Sequence, residues 1–497
     1  MSTDAGKPRS ARAALLLSAI ARYGSFAISF VTIALVSRLL SPEEIGIFSI
    51  SATLIALSQF MRLFGIHSFI IREKQIDRTK LRVCFTLSFA ISVVLAAVLF
   101  LAADVVARFY DATVLADVLR LHCAAFLLGP LSMVAHAMFE REMRFGALLG
   151  VQLIETLVQA AATLSLIALG YSFFGLVWGK IAGAASLWIC YLYLAPQFAI
   201  LPPLIRRVPG IISLGATLTL SSVVARLGRS FPELIIGRVL GLSDVAMFSR
   251  AGAMLTAYRR TVIGVVRPIT LPLLARARHA KPEEINAIYL KYVGLFTGVS
   301  MPFLAFCGVM ADTLIVLVFG EQWRPAIPLA RLLCFAALMA SIAHLSASFF
   351  VAIGEAGRLL QREFVFQGLY VSSVALTVYA GLTAMGFGIL AAYLIGTLWT
   401  LYLVKLATGI AIVESLSTIA KSALVAGGTV VGPLCFSLVE ASDTTSLLLK
   451  LSGACLTGAL GWLIVLRLVK HGLWFEVVRA LRVVWELPGT LRWKKGL

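Results

Sequence analysis

The feature that most constrains this chain is a nearly continuous series of apolar runs, each long enough to cross a lipid bilayer. A helix rises 1.5 Å per residue, so roughly 20 apolar residues span a hydrocarbon layer that is about 30 Å thick. Of the 497 residues, 60% are hydrophobic and only 13% are charged. We therefore expect an all-α polytopic membrane protein without a separate soluble domain.

The apolar runs predict about fourteen transmembrane helices. The loops between them are too short for a soluble catalytic module, and no nucleotide-binding glycine motif follows a strand. We therefore expect a protein that is not an enzyme and needs no cofactor. The predicted spans are residues 14–37, 45–70, 83–103, 114–138, 147–169, 173–195, 211–236, 245–270, 289–310, 326–352, 364–384, 387–409, 418–439 and 446–467.

Lys and Arg concentrate in alternate loops, and positively charged loops resist translocation. The loop between Arg72 and Arg82 is strongly basic, and Arg358 and Arg362 fall in another loop of the same set. This pattern predicts that both termini lie in the cytoplasm, and it attributes the net charge of +19 to membrane topology rather than to nucleic-acid binding. Residues 472–486 place apolar and charged side chains on opposite helical faces, which predicts an interfacial amphipathic helix.

An internal repeat relates two parts of the chain. Residues 37–49 align without gaps with residues 237–249, and Arg38, for example, matches Arg238. The copies lie six predicted spans apart, so they enter the membrane in the same direction and predict two parallel six-helix bundles around a central cavity. The expected organisation is a cytoplasmic tail 1–13, a first lobe 14–195, a basic linker 196–210, a second lobe 211–410, two additional helices 411–469 and a basic amphipathic tail 470–497.

Arginines inside the predicted spans are the strongest candidates for a functional site. A charge at mid-bilayer is costly unless it faces a cavity or a partner. The candidates occupy the first two helices of each repeat, and Ser222, Arg226 and Arg229 share one helical face. Guanidinium groups match the oxygens of a phosphate, so we predict a cationic, substrate-binding cavity. Its expected residues are Arg22, Arg62, Arg226, Arg229, Arg259 and Arg260.

Other ionisable residues within or near the spans are expected to be structural. No two histidines share a metal-ligand spacing on one helix, so we predict hydrogen-bonded packing residues and no metal site: His67, His122, His136 and His344. Acidic residues are expected to pair with a base or to lie at the interface: Glu155, Glu233 and Asp312.

Several motifs resemble those of bacterial polysaccharide transporters. Residues 38–48 read RLLSPEEIGIF, close to the pattern RLLSPEEFGLF, and 108–110, 119–121 and 139–145 read RFY, LRL and FEREMRF. These motifs resemble Wzx-type flippases of the multidrug/oligosaccharidyl-lipid/polysaccharide exporter superfamily, in the exopolysaccharide branch typified by colanic-acid exporters. The likeness is clearest in the first half of the chain.

The resemblance implies a flippase of the bacterial inner membrane that works by alternating access. Its implied substrate is an undecaprenyl-pyrophosphate-linked oligosaccharide, moved to the periplasmic leaflet for exopolysaccharide or lipopolysaccharide synthesis. Membrane lipids, and the polysaccharide polymerase and export machinery, are the other implied partners. A peptidoglycan lipid flippase and an exporter of small molecules from the same superfamily are the alternatives; the second predicts an apolar or acidic cavity.

Overall fold

The computed structural model describes residues 11–63, 65–206, 228, 230–280, 284–440 and 443–479, and every regular element in these ranges is a helix. Nine of the described helices are long and apolar enough to cross a membrane. The all-α polytopic fold class is therefore confirmed, while the number fourteen stays a prediction. Contacts divide the chain into two compact units, Met1–Ala246 and Met247–Leu497; the lobe boundaries proposed from the sequence stay predictions.

The first unit is a bundle centred on α5. Helix α5 contacts α2, α3, α4 and α7, and α6 packs between α1 and α7. A further helical segment, 230–239, belongs to the same unit. In chain order the helices are α1 Ala11–Leu39, α2 Pro42–Leu63, α3 Ile66–Arg72, α4 Arg78–Phe109, α5 Val114–Arg141, α6 Phe145–Leu166, α7 Phe174–Leu194 and α8 Pro196–Ala199.

The predicted span 45–70 is two helices rather than one. Helix α2 ends at Leu63, and Gly65, in a left-handed conformation (φ 64°), is the residue that precedes α3. An interior residue of an α-helix cannot take this conformation, so the hydropathy of the run overlooked a break that a single glycine creates. Helix α3 is thus a short separate piece that packs on the end of α5.

Both copies of the repeat have the same helix ends. Helix α1 ends at Leu39 and α2 begins at Pro42, and segment 230–239 ends where the register predicts, with α9 beginning at Leu242. The first turns of α2 and α9 differ in their capping. The Ser41 amide donates to the Glu44 carboxylate (2.8 Å), and the Glu44 amide donates to the Ser41 hydroxyl (3.3 Å). Gly241 stands at the position of Ser41 and has no side chain to do the same.

Segment 230–239 is held by polar contacts within the first unit. Thr53 donates a hydrogen bond to Glu233, and the Tyr110 hydroxyl donates to the Leu234 carbonyl (3.1 Å). An ion pair of 2.7 Å joins Arg238 Nη1 to an Asp111 carboxylate oxygen. Glu233 therefore accepts a hydrogen bond from a hydroxyl, and its predicted pairing with a base or placement at the interface stays a prediction.

The second unit begins within α9 and contains the remaining helices. Helix α12 packs against α14 and α18, α14 packs against α17, α16 packs against α17, and α18 packs against α19. In chain order they are α9 Leu242–Ala251, α10 Ala253–Tyr258, α11 Gly264–Ala280, α12 Ile285–Val309, α13 Ala311–Phe319, α14 Ile327–Ile342, α15 Ser346–Ile353, α16 Ala356–Thr377, α17 Leu382–Thr408, α18 Ile412–Ser437 and α19 Thr444–Leu468.

Buried polar contacts fasten the last two long helices to this unit. The hydroxyls of Thr297 and Ser422 lie 2.8 Å apart, and Ser422 is 3.1 Å from His471 Nε2. Lys450, whose side chain is only 6% exposed, lies 3.3 Å from the Asp312 carboxylate. Asp312 is thus paired with a base, as expected. Residues 472–479 are helical, and the rest of the predicted amphipathic helix lies outside the described residues.

Candidate anion-binding cavity

The second unit contains a partly open cavity of about 220 Å³ that is lined by two arginines. Arg259 enters it from the junction after α10, and Arg362 enters it from α16. Tyr393 on α17 and His344, between α14 and α15, add further polar groups. The opening is therefore positively charged at two points and has hydroxyl and imidazole groups between apolar walls.

Arg259 occupies an irregular turn. The chain leaves α10 at Tyr258 and forms a π-helical turn over Arg259–Ile263 before α11 begins. Such turns cost backbone stability and recur at functional sites, because they redirect side chains that a regular helix would point elsewhere. The Arg259 guanidinium reaches the Tyr393 hydroxyl. Tyr393 thus holds the charge at the cavity wall without neutralising it.

Arg362 is the less exposed of the two cations. Its side chain is 19% exposed, and one Nη donates to Glu363, the next residue along the chain. Its Nε is buried and has no hydrogen-bond partner within the described part of the chain. A buried donor without a partner costs roughly 1–3 kcal/mol.

Aromatic rings form one wall of the cavity. Phe366 lies one helical turn after Arg362, and its ring meets Tyr393 edge-on at a centroid distance of 4.9 Å. Tyr370, a further turn along α16, also contacts Tyr393 (6.1 Å). Gly396 permits this packing, because a Cβ at that position would lie 2.7 Å from the Phe366 ring. Arg362, Phe366 and Tyr370 therefore form a stripe on one face of α16.

The six arginines predicted for the cavity occupy different positions in the structure. Arg259 lines the cavity, and Arg260 is the adjacent exposed residue in the same π-turn. Arg22 lies within α1, and Arg62 lies near the end of α2. Arg226 and Arg229 fall outside the described residues. The cationic cavity as a joint site of all six stays a prediction.

The sequence places Arg362 in a loop before the predicted span 364–384, whereas the structure places it in a helix. Helix α16 already starts at Ala356 and includes Arg362 in its second turn. The polar run from Gln361 to Glu363 lowers the local hydropathy, so the predicted span starts after it. The position of Arg362 relative to the membrane stays a prediction.

The first unit contains a separate buried basic cluster that sequence reasoning missed. Lys180 on α7 places its ammonium 4.8 Å from the centre of the Phe48 ring. His122 on α5 contacts the same ring (5.4 Å), and its Nδ1 lies 3.0 Å from the Ser51 hydroxyl. A single lysine in an apolar run gives no periodic signal, so only the packing of α2, α5 and α7 reveals this cluster.

Residues 35–328 match the family described as polysaccharide biosynthesis proteins. The chain belongs to this family, and the resemblance to Wzx-type polysaccharide transporters is confirmed. It is 22% identical to the lipopolysaccharide biosynthesis protein WzxC of Escherichia coli (strain K12) over 66% of this chain and 67% of that protein. It is 24% identical to the succinoglycan biosynthesis transport protein ExoT of Rhizobium meliloti (strain 1021) over 64% of each chain. The matched regions thus span about two thirds of these relatives.

Solved structures support the fold. The chain is similar to the lipid II flippase MurJ in an inward closed conformation, with a TM-score of 0.71 and 10% identity over 91% of this chain and 99% of that one. It is also similar to an inward-facing multidrug resistance transporter of the MATE family, with a TM-score of 0.59 and 16% identity over 78% and 95% of the two chains. At these identities the likeness concerns the fold alone.

Proposed function

We propose that the protein moves a polyprenyl-diphosphate-linked oligosaccharide from the cytoplasmic to the periplasmic leaflet of the bacterial inner membrane by alternating access. Undecaprenyl is the expected lipid. The observation that carries the proposal is the cavity of the second unit, where the side chains of Arg259 and Arg362 line a space beside aromatic rings. The family and the relatives, whose names refer to lipopolysaccharide and succinoglycan biosynthesis, support a polysaccharide cargo.

The chemistry of the cavity fits the linkage region of such a substrate. Two guanidinium groups can each give paired hydrogen bonds to phosphate oxygens, and the apolar surroundings strengthen those bonds. The rings of Phe366 and Tyr393 offer flat apolar faces on which the C–H face of a sugar can pack. A cationic drug would be repelled by Arg259 and Arg362, which argues against a small-molecule exporter of the MATE type.

The volume of the cavity limits what it can hold. Pockets for drug-sized ligands measure roughly 300–1,000 Å³, whereas this one measures about 220 Å³. It can hold a diphosphate with part of one sugar, but not a complete oligosaccharide repeat. In this proposal the cavity binds the diphosphate and part of the first sugar, and the rest of the oligosaccharide lies outside the cavity.

Alternating access requires helices that can change shape. The π-turn at Arg259–Ile263 is such a place, because its hydrogen bonds can be exchanged for those of a regular helix with a small change in length. Arg259 lies in the turn and in the cavity at once. Anion binding at this side chain would therefore bias the conformation of the helix that carries it.

The test compares single substitutions in purified protein reconstituted into liposomes with a fluorescent polyprenyl-diphosphate oligosaccharide. Arg259→Ala and Arg362→Ala should each lower affinity and flipping about tenfold to a hundredfold, because a charge-assisted hydrogen bond is worth roughly 1.5–3 kcal/mol. Lys at either position should restore only part of the affinity and flipping that the Ala variant loses, since an ammonium cannot form the paired contact with a phosphate.

Arg358→Ala is the matched control. Arg358 is one turn before Arg362 on α16, but it pairs with Glu355 (3.2 Å) and does not line the cavity. Flipping at the wild-type rate by both cavity variants would overturn the proposal. Equal transport of lipid II in the same liposomes would favour the peptidoglycan alternative, and transport of cationic drugs instead of either lipid would identify an exporter of small molecules.

A further inference from the structure

A cluster of metal-ligand side chains lies in the first unit, apart from the cavity described above. His67 on α3 faces His136 and Glu140, which are one turn apart on α5. His67 Nε2 is 3.1 Å from a Glu140 carboxylate oxygen, and the two imidazole rings are 6.1 Å apart between centroids. One ligand atom from each of the three residues lies within 4.8 Å of the other two.

We propose that His67, His136 and Glu140 bind a divalent transition-metal ion, with Zn²⁺ as the preferred occupant. Two imidazoles and one carboxylate are a donor set that zinc favours, and three protein ligands leave a fourth position for water or a small anion. Zinc bonds to nitrogen and oxygen are about 2.0–2.2 Å long, so ligand atoms around a tetrahedral ion lie about 3.3–3.5 Å apart. The His67–Glu140 separation already approaches that spacing, and His136 needs a shift of about 1 Å.

Neighbouring contacts hold the ligands in place. His136 Nδ1 lies 2.9 Å from the Tyr191 hydroxyl, which orients the ring and leaves Nε2 available to a metal. Arg141 fixes the position of α3, because it donates to the carbonyls of Ile70 and Glu73, both at 2.6 Å. A hydrogen bond to the second nitrogen of a ligating histidine is the usual support of a metal site.

The sequence predicts no metal site because no two of its histidines share a ligand spacing on one helix. The second histidine comes from α3, a separate helix that packs against α5. The spacing His136 to Glu140 is i, i+4, but a histidine and a carboxylate on one helix are a common surface pattern. Tertiary packing supplies the third ligand.

An occupied site would join α3 to α5 beside the break at Gly65. Helix α2 ends before this break, so metal binding would restrict the movement of α3 relative to the bundle. Metal binding at this joint does not depend on the identity of the transported lipid.

The experiment uses full-length protein in nanodiscs, carrying an affinity tag without histidines and stripped with a chelator. Co²⁺ serves as the probe, because its visible absorption reports nitrogen and oxygen ligands in a low-coordinate site, and Zn²⁺ is then added as competitor. We expect one Co²⁺ per chain and displacement by equimolar Zn²⁺. His67→Gln, His136→Gln and Glu140→Gln should each weaken Co²⁺ binding at least tenfold, and Tyr191→Phe should weaken it about tenfold through its effect on His136.

His344→Gln is the control, since this histidine lies in the second unit and should leave Co²⁺ binding unchanged. Thermal unfolding without metal verifies that each variant is folded, and Zn²⁺ should raise the unfolding temperature of the wild type but not of the ligand variants. Absence of saturable Co²⁺ binding by the wild type would refute the site and leave a simple His67–Glu140 ion pair. Unchanged binding by two or more folded ligand variants would refute it as well.

Discussion

Gly396→Ala tests whether the aromatic wall determines the shape of the cavity. The added methyl group would lie 2.7 Å from the Phe366 ring, where ordinary contacts between carbon atoms begin at about 3.5 Å. The ring must therefore move by close to 1 Å. Overpacking of this kind costs about 1–3 kcal/mol, and the gain in helix propensity from Gly to Ala returns up to about 1 kcal/mol. We expect a net destabilisation of about 0–3 kcal/mol together with a clear loss of transport.

Gly427→Ala supplies the matched comparison. Gly427 lies inside α18, and a Cβ there would meet no atom within 4 Å, so the same chemical change should leave stability unchanged or slightly improved. The assay measures thermal unfolding in detergent and lipid flipping in liposomes for both variants. A loss of transport in Gly396→Ala but not in Gly427→Ala would support a role of the aromatic wall in shaping the cavity. Equal transport and equal unfolding temperatures in the two variants would show that Phe366 does not define the binding space.

Two further predictions concern the ion pair of the second unit and the topology. Lys450→Met should lower the unfolding temperature, because it leaves the Asp312 charge partly buried at a cost toward the low end of roughly 3–5 kcal/mol. Adding Asp312→Leu to Lys450→Met should recover most of the lost unfolding temperature, because it removes the unpaired charge. A double variant as unstable as Lys450→Met alone would contradict this account. In a background without the native cysteines, Arg78→Cys should be inaccessible to an impermeant reagent applied outside intact cells, and Asp111→Cys should react. The opposite labelling pattern would reverse the predicted orientation.

Hydropathy predicted the helices well, because a segment in lipid must satisfy its backbone hydrogen bonds internally. It predicted their interruptions poorly. The break at Gly65 and the π-turn at Arg259–Ile263 arise from single conformations that leave the average apolarity unchanged. The 200-residue repeat register, from Arg38 to Arg238, was informative at a finer level, since it located the helix ends of both copies.

The site was predicted only in part. Arg259 was found because a charge within an apolar run is conspicuous, whereas Arg362 was hidden by the polar residues beside it. Lys180 and the cluster around His67 depend on which helices pack together. One-dimensional patterns do not contain that information, since the partners come from distant parts of the chain.

The different starts of the two repeat copies have a mechanical consequence. A serine N-cap is worth only about a few tenths of a kcal/mol more than a glycine, so the first turn of α2, capped by Ser41 and Glu44, resists fraying slightly more than the matching turn after Gly241. Two segments that match in sequence thus differ in the stability of their first turns. We expect the turn after Gly241 to fray before the first turn of α2 when both helix ends carry the same load.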